Sequence, residues 1–152
     1  MAFAKPSLKG RALRLLSQRE HSRAELERKL KTHEEEPGTL SKALDELQAK
    51  GFISETRVIE SVIHRRASKL GWLRIQVELQ DKGLDPVLVA QALAELRGTE
   101  LARASQIWLR KFGKAADTPQ EKAKQARYLA ARGFSGEVVM QVLKQAGWPI
   151  PD

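Results

Sequence analysis

Apolar residues return every three to four positions in short bursts along this chain. Leu40, Leu44 and Leu47 form one burst, Val58, Ile59, Val62 and Ile63 another, and Val138, Val139, Val142 and Leu143 a third. This period predicts short helices with one apolar face. Four of the bursts share an ending: a leucine, then a glycine four residues later, then a large apolar residue. They are Leu47-Gly51-Phe52, Leu79-Gly83-Leu84, Leu129-Gly133-Phe134 and Leu143-Gly147-Trp148. Glycine takes the left-handed conformation that closes a helix, and the next side chain is expected to fold back onto the leucine. Lys50, Lys82 and Arg132, each just before its glycine, sit where a cation meets the negative end of the helix dipole.

Nine helices in three groups of three follow from this pattern. The first opens over 8–19, with Ala12, Leu13, Leu15 and Leu16 as its stripe. Ser22 and Glu25 form a capping box that starts a second helix carrying Leu26 and Leu30. Pro37-Gly38 breaks the chain before a third helix ending at Gly51. The fourth helix starts near Ser54. Residues 72–82 are ambiguous, since Leu73, Ile75, Val77 and Leu79 alternate like a strand. Helix is preferred, because the corresponding segment 122–132 is rich in strong helix formers. Asp85-Pro86 and Thr118-Pro119 each supply an N-cap followed by proline, and a last helix follows Ser135. The segments around Gly83 and Gly133 match with an offset of 50 residues, and a fainter copy precedes the first of them by 49. The expected fold is all-α: three tandem three-helix repeats (8–53, 54–98 and 99–147) forming an elongated curved array. Its long surface suits a large partner better than a small-ligand pocket.

Charge narrows the partner. Residues 1–50 carry 11 basic and 8 acidic groups, residues 51–100 carry 7 and 7, and residues 101–152 carry 9 and 4, for a net charge of +8. A basic chain of this kind is drawn to nucleic acid or to an acidic protein face. There is no cysteine, so disulfides and thiolate metal sites are excluded. No apolar run approaches the roughly 20 residues that span a bilayer. The opening residues lack the apolar stretch of a secretory leader, so a cytoplasmic protein is expected.

Candidate chemistry is sparse. His21, His33 and His64 show no helical ligand spacing and read as surface or capping histidines. Glu34-Glu35-Glu36 reads as a solvated loop. No phosphate-binding glycine loop or nucleophile motif is present, so neither catalysis, a metal nor a cofactor is expected. Basic residues near aromatics are the stronger candidates. Arg65 and Arg66 lie on the fourth helix, and Arg74 lies beside Trp72. Arg110 and Lys111 lie beside Trp108 and Phe112, and Arg127 and Arg132 lie on the eighth helix. With Lys82, these eight are the expected partner contacts. Trp72, Trp108 and Phe112 themselves read as core, edged by arginine stems.

Three stretches resemble the RecX family, regulators of the bacterial recombinase RecA. Ala12-Leu13-Arg14-Leu15-Leu16 through Ser22-Arg23-Ala24-Glu25-Leu26 to Leu30 is similar to the family's opening motif. Gly51-Phe52-Ile53-Ser54-Glu55, Arg65-Arg66-Ala67 and Leu73-Arg74-Ile75 through Lys82-Gly83-Leu84 resemble its central motif. Trp108 through Gly113, and Lys124 through Ser135, resemble its last one. The chain departs from the family at Val58-Ile59, where an aromatic-alanine pair is usual, and in its acidic loop at Glu34-Glu35-Glu36-Pro37. The resemblance implies three tandem three-helix units and no catalysis. It implies a protein that lies along the groove of the RecA–DNA filament and inhibits strand exchange, ATP hydrolysis and coprotease activity; a monomer is expected. Roles in recombination, DNA repair and the SOS response follow, with direct DNA contact in some members. The alternative reading is a helix-turn-helix or winged-helix DNA-binding regulator over residues 22–55, which requires a β-hairpin after Ile53.

Overall fold

The computed structural model describes residues 5–147. Among these residues there are nine α-helices and no strand: α1 (Leu8–Gln18), α2 (Arg23–Leu30), α3 (Thr39–Ala49), α4 (Glu55–Arg66), α5 (Trp72–Asp81), α6 (Pro86–Arg97), α7 (Glu100–Lys111), α8 (Pro119–Ala131) and α9 (Gly136–Gln145). A 3₁₀ turn over Lys31–His33 extends α2. The alternating segment from Leu73 to Leu79 is helical, and α4 stands where a winged helix would place its hairpin.

Helix starts follow the capping residues. Ser22 Oγ accepts the Glu25 N–H at 3.1 Å, and Glu25 Oε1 accepts the Ser22 N–H at 3.1 Å. Ser54, Asp85, Thr118 and Ser135 each accept a first-turn N–H. The glycine ends also form. At Gly51, with φ 82°, the Phe52 N–H donates to Leu47 O at 2.9 Å. At Gly133, with φ 98°, the Phe134 N–H donates to Leu129 O at 3.3 Å. The folded-back side chain is present for Leu84 and Phe134, both buried, but not for Phe52, which is 47 % exposed. Ile53 takes the core position beside Leu47 instead. Trp148 of the fourth ending lies outside the described residues.

Each repeat has its own core. Leu26, Leu44 and Leu47 centre the first, Val58, Ile75 and Leu79 the second, and Leu129, Phe134 and Leu143 the third. The extensive helix–helix contacts all lie within a repeat. What joins the repeats is narrower, and it follows the sequence offset. A Cβ at Gly83 would meet Ala24 of α2 at 2.9 Å, and a Cβ at Gly133 would meet Arg74 of α5 at 2.4 Å. Ala24 and Arg74 are 50 residues apart, as are the two glycines. The carbonyls before these turns are bonded alike. Arg28 donates to Asp81 O at 2.8 Å, and Arg74 donates to Ala131 O at 2.8 Å.

The two seams differ in what closes them. Side-chain ions close the first. Glu25, buried on α2, accepts Lys82 Nζ at 3.0 Å and Arg19 Nη2 at 2.7 Å, and Arg57 Nε donates to Glu20 at 2.9 Å. Burial alone would raise the Glu25 carboxyl. The bonds from Arg19, the Ser22 amide and Lys82 outweigh it and bring the pKa down from 4.5 to about 2. The second seam is largely main chain. Gly71 N–H donates to Arg132 O at 2.8 Å and Leu73 N–H to Gly133 O at 3.2 Å. Arg103 donates to Ala67 O and Leu70 O, both at 2.7 Å, and pairs with buried Glu100, which also accepts the Trp72 N–H at 3.1 Å. Burial lowers the pKa of Arg103.

His21 corrects an expectation. It is 1 % exposed rather than at the surface. Its Nδ1 lies 3.0 Å from Arg19 O and its Nε2 lies 3.2 Å from Lys29 Nζ. This places the proton on Nδ1 and leaves Nε2 to accept from the ammonium, a neutral ring. Nothing about a lone histidine before a serine cap signals burial. Its partners, the Arg19 carbonyl and the Lys29 ammonium, come together only when the end of α1 and the end of α2 fold onto it.

Candidate functional site

The second seam builds a basic groove of about 270 Å³. The turn after α4 supplies Lys69, α7 supplies Arg110 and Lys111 over Ile107, and α8 supplies Tyr128 with Arg132 at its C-cap. Local chemistry positions three of these cations. Arg110 Nη2 donates to Ser68 O at 2.9 Å across the seam. Arg132 Nη2 donates to Tyr128 Oη at 3.0 Å, and its guanidinium lies 4.9 Å from the centre of that ring. Lys111 Nζ lies 5.3 Å from the same ring, and Phe112 meets it edge-on at 5.4 Å. Tyr128 is thus a polarizable post with two cations against it. No carboxylate among the described residues lines the groove. Four cations without a neutralising acid make a local excess of positive charge, which a polyanion relieves.

The other expected contacts fall elsewhere. Arg66 is bidentate to Glu78 of α5, at 3.2 and 3.4 Å, and Arg65 reaches the same carboxylate at 3.9 Å. Both arginines keep about two-fifths of their side-chain surface in solvent. Arg127 is exposed on α8. Arg74 and Lys82 hold the seams, and the Lys82 side chain is only 12 % exposed. The aromatics sit at core edges. Arg97, rather than the sequence neighbour Arg74, covers Trp72 at 3.6 Å, and Trp108 donates its indole N–H to Gln125 at 2.9 Å.

Lys69 and Arg103 were invisible to sequence reasoning. Lys69 is a single lysine in a turn. Arg103 lies on an ordinary amphipathic helix, and its acceptors are carbonyls of another repeat. Tyr128 was legible only as one letter of a motif. No cluster of three or more metal-ligating side chains occurs among the described residues, and no helix there is long and apolar enough to cross a membrane.

Models of the three RecX three-helix domains match the chain in order. The first matches residues 9–47, the second 54–93 and the third 99–143. A regulatory protein RecX from Leptothrix cholodnii is 51 % identical over 148 residues, which is 96 % of this chain and 94 % of that protein. The chain belongs to the RecX family. A second RecX, from Ralstonia nicotianae, is 45 % identical and covers 92 % of this chain and 88 % of its own. The crystal structure of RecX from Lactobacillus salivarius superposes with a TM-score of 0.74 at 19 % identity, over 91 % of this chain and 94 % of that one. The crystal structure of another regulatory protein RecX gives 0.73 at 20 % identity, over 90 % and 71 %. At these identities the two structures share the fold. The RecX domain matches also place the groove. Lys69 falls in the second domain, and Arg110, Lys111, Tyr128 and Arg132 fall in the third.

Proposed function

We propose that this protein is a non-enzymatic, cytoplasmic regulator that binds RecA–DNA filaments as a monomer and inhibits their recombinase, ATPase and coprotease activities. On this reading it acts in recombination, DNA repair and the SOS response. The carrying observation is the groove at the second seam, where four cations converge with no acid among them in a chain of the RecX family. The repeats, taken as 8–53, 54–98 and 99–147, lie along the filament groove and touch more than one protomer. Arg110, Lys111 and Arg132 meet the anionic partner at the seam. Arg65, Arg66 and Arg127 extend the basic surface beside it. Arg74 and Lys82 act on binding through the seams they close, which set the array's shape. An inhibitor of this kind works by differential affinity: it binds one filament state more tightly and shifts the population toward it.

The test adds purified protein to RecA filaments on single-stranded DNA and follows ATP turnover and filament length together. Arg110→Glu with Lys111→Glu is expected to weaken filament binding by about tenfold to a hundredfold. Arg65→Glu with Arg66→Glu is expected to weaken it less, because Glu78 already offsets part of that charge. Both effects shrink as salt rises. Wild-type inhibition by either double variant, with unchanged circular dichroism, would remove that pair from the interface.

A further inference from the structure

A second groove, of about 250 Å³, lies on the first repeat between α1 and the end of α2. We propose that it docks an acidic peptide segment that carries a large apolar side chain. Arg11, Arg14 and Leu15 share one face of α1, at helical spacings of three and four. Lys29, Leu30 and His33 face them from α2 and the 3₁₀ turn. The floor is apolar: Leu30 is 3 % exposed and Leu15 is half-buried on the first core. Every titratable side chain lining the groove is basic.

The arginines are unlike others in this chain. Arg19, Arg23, Arg57 and Arg66 each hold a carboxylate. The side chains of Arg11 and Arg14 have no ion-pair or hydrogen-bond partner among the described residues. Lys29 already donates to His21, so it adds charge to the rim while keeping its position. Glu35 and Glu36 line a neighbouring recess, beyond Arg11 and His33, and Glu35 lies 3.9 Å from Lys5. The negative side is therefore there, and the open cationic side is at Arg14 and Lys29.

Charge and floor together select the occupant. A nucleic-acid strand would satisfy the cations with phosphates but leave the leucine floor against polar sugar and phosphate. An uncharged apolar helix would cover the leucines and strip water from unpaired guanidinium groups. A segment with carboxylates flanking a phenylalanine or leucine satisfies both, with bidentate arginine–carboxylate pairing at the rim. The inference stands apart from the seam groove, which lies at the junction of the second and third repeats.

The test measures fluorescence anisotropy of a labelled peptide, Asp-Glu-Asp-Phe-Glu-Leu, with the full-length protein at low salt. Saturable binding is expected. Replacing the acids by Asn and Gln, or the Phe and Leu by Ser, is expected to weaken it by about tenfold or more each. Arg11→Glu with Arg14→Glu is expected to do the same. The charge-matched control, Lys114→Glu with Lys144→Glu on the third repeat, should stay within about twofold, as remote exposed charges are screened. Equal binding of the neutral peptide, equal binding by the folded Arg11/Arg14 variant, or full displacement by a single-stranded oligonucleotide would each overturn the proposal. Filament inhibition measured on the same variants reports separately on the proposed function.

Discussion

Replacing Glu25 with alanine is expected to lower the unfolding free energy by about 3 kcal/mol, one of the two largest effects of any single substitution predicted for this chain. The carboxylate serves three purposes at one place. It completes the capping box of α2, pairs with Arg19, and ties Lys82 of the second repeat to the first. Alanine leaves Lys82, 12 % exposed, without its anion. A similar magnitude follows from the carboxyl itself, since a pKa lowered from 4.5 to about 2 corresponds to about 3 kcal/mol of preference for the charged form in the fold.

The sign of the pH dependence follows. A carboxyl with a depressed folded pKa adds stability that is complete above 4.5 and is lost as pH falls toward about 2. His21 adds a second loss at higher pH. Its pKa is lowered from 6.5, chiefly by burial, so the fold holds the ring neutral while the unfolded chain takes up a proton. Stability therefore begins to fall as pH drops below 6.5. Urea midpoints measured from pH 7.5 to pH 3 should show both losses in the wild type. The Glu25→Ala variant should keep the upper one and lose most of the lower one. An unchanged acid limb in that variant would show that Glu25 does not bind the first seam.

Gly71→Ala is expected to be at least as damaging, at about 3 kcal/mol or more, for a purely steric reason. The backbone at residue 71 has φ −83° and ψ 169°, which alanine adopts freely. The added Cβ, however, would stand 2.4 Å from both C and O of Gly133 and 2.6 Å from the Phe134 nitrogen. These are backbone atoms, so no side chain can swing aside. The second seam must open, and the bonds from residues 71 and 73 to Arg132 O and Gly133 O break with it. Fast hydrogen exchange at the residue 73 amide, a lower melting temperature and weaker filament inhibition should appear together, because the basic groove is built across that seam. Gly51→Ala is the contrast. Its Cβ meets nothing within 4 Å, so only the positive φ of 82° matters, at about 1 kcal/mol. If the two variants melt alike, the seam is not as tight as its distances indicate.

The order of the helices, most of the side-chain caps and the glycine turns at Gly51, Gly83 and Gly133 were legible in the sequence. Each depends on interactions within one or two turns: Ser22 with Glu25, Asp85 with Val87, Leu47 with Phe52. The offset of 50 was legible too, and it relates the two contacts between repeats, Gly83 on Ala24 and Gly133 on Arg74. What the pattern did not reveal is which cations remain available. Lys82 and Arg110 look alike in sequence, both next to a helix end. Lys82 is buried against Glu25, 57 residues away, while Arg110 crosses to the carbonyl of Ser68 at the edge of an open groove.

The sequence carried the local matters: the nine helices found among the described residues, most of their starts and stops, the apolar face of each, and the threefold grouping. A period of 3.6 and a cap are properties of neighbouring residues, so one chain suffices to read them. Tertiary structure alone decided the destination of the charges. It buried His21 and Glu25, used Arg74 and Arg103 as struts between repeats, and left Lys69, Arg110, Lys111 and Arg132 around Tyr128. A long flexible cation reaches whatever anion or carbonyl folding brings within a few ångströms, and that choice is made across repeats, where no local spacing records it.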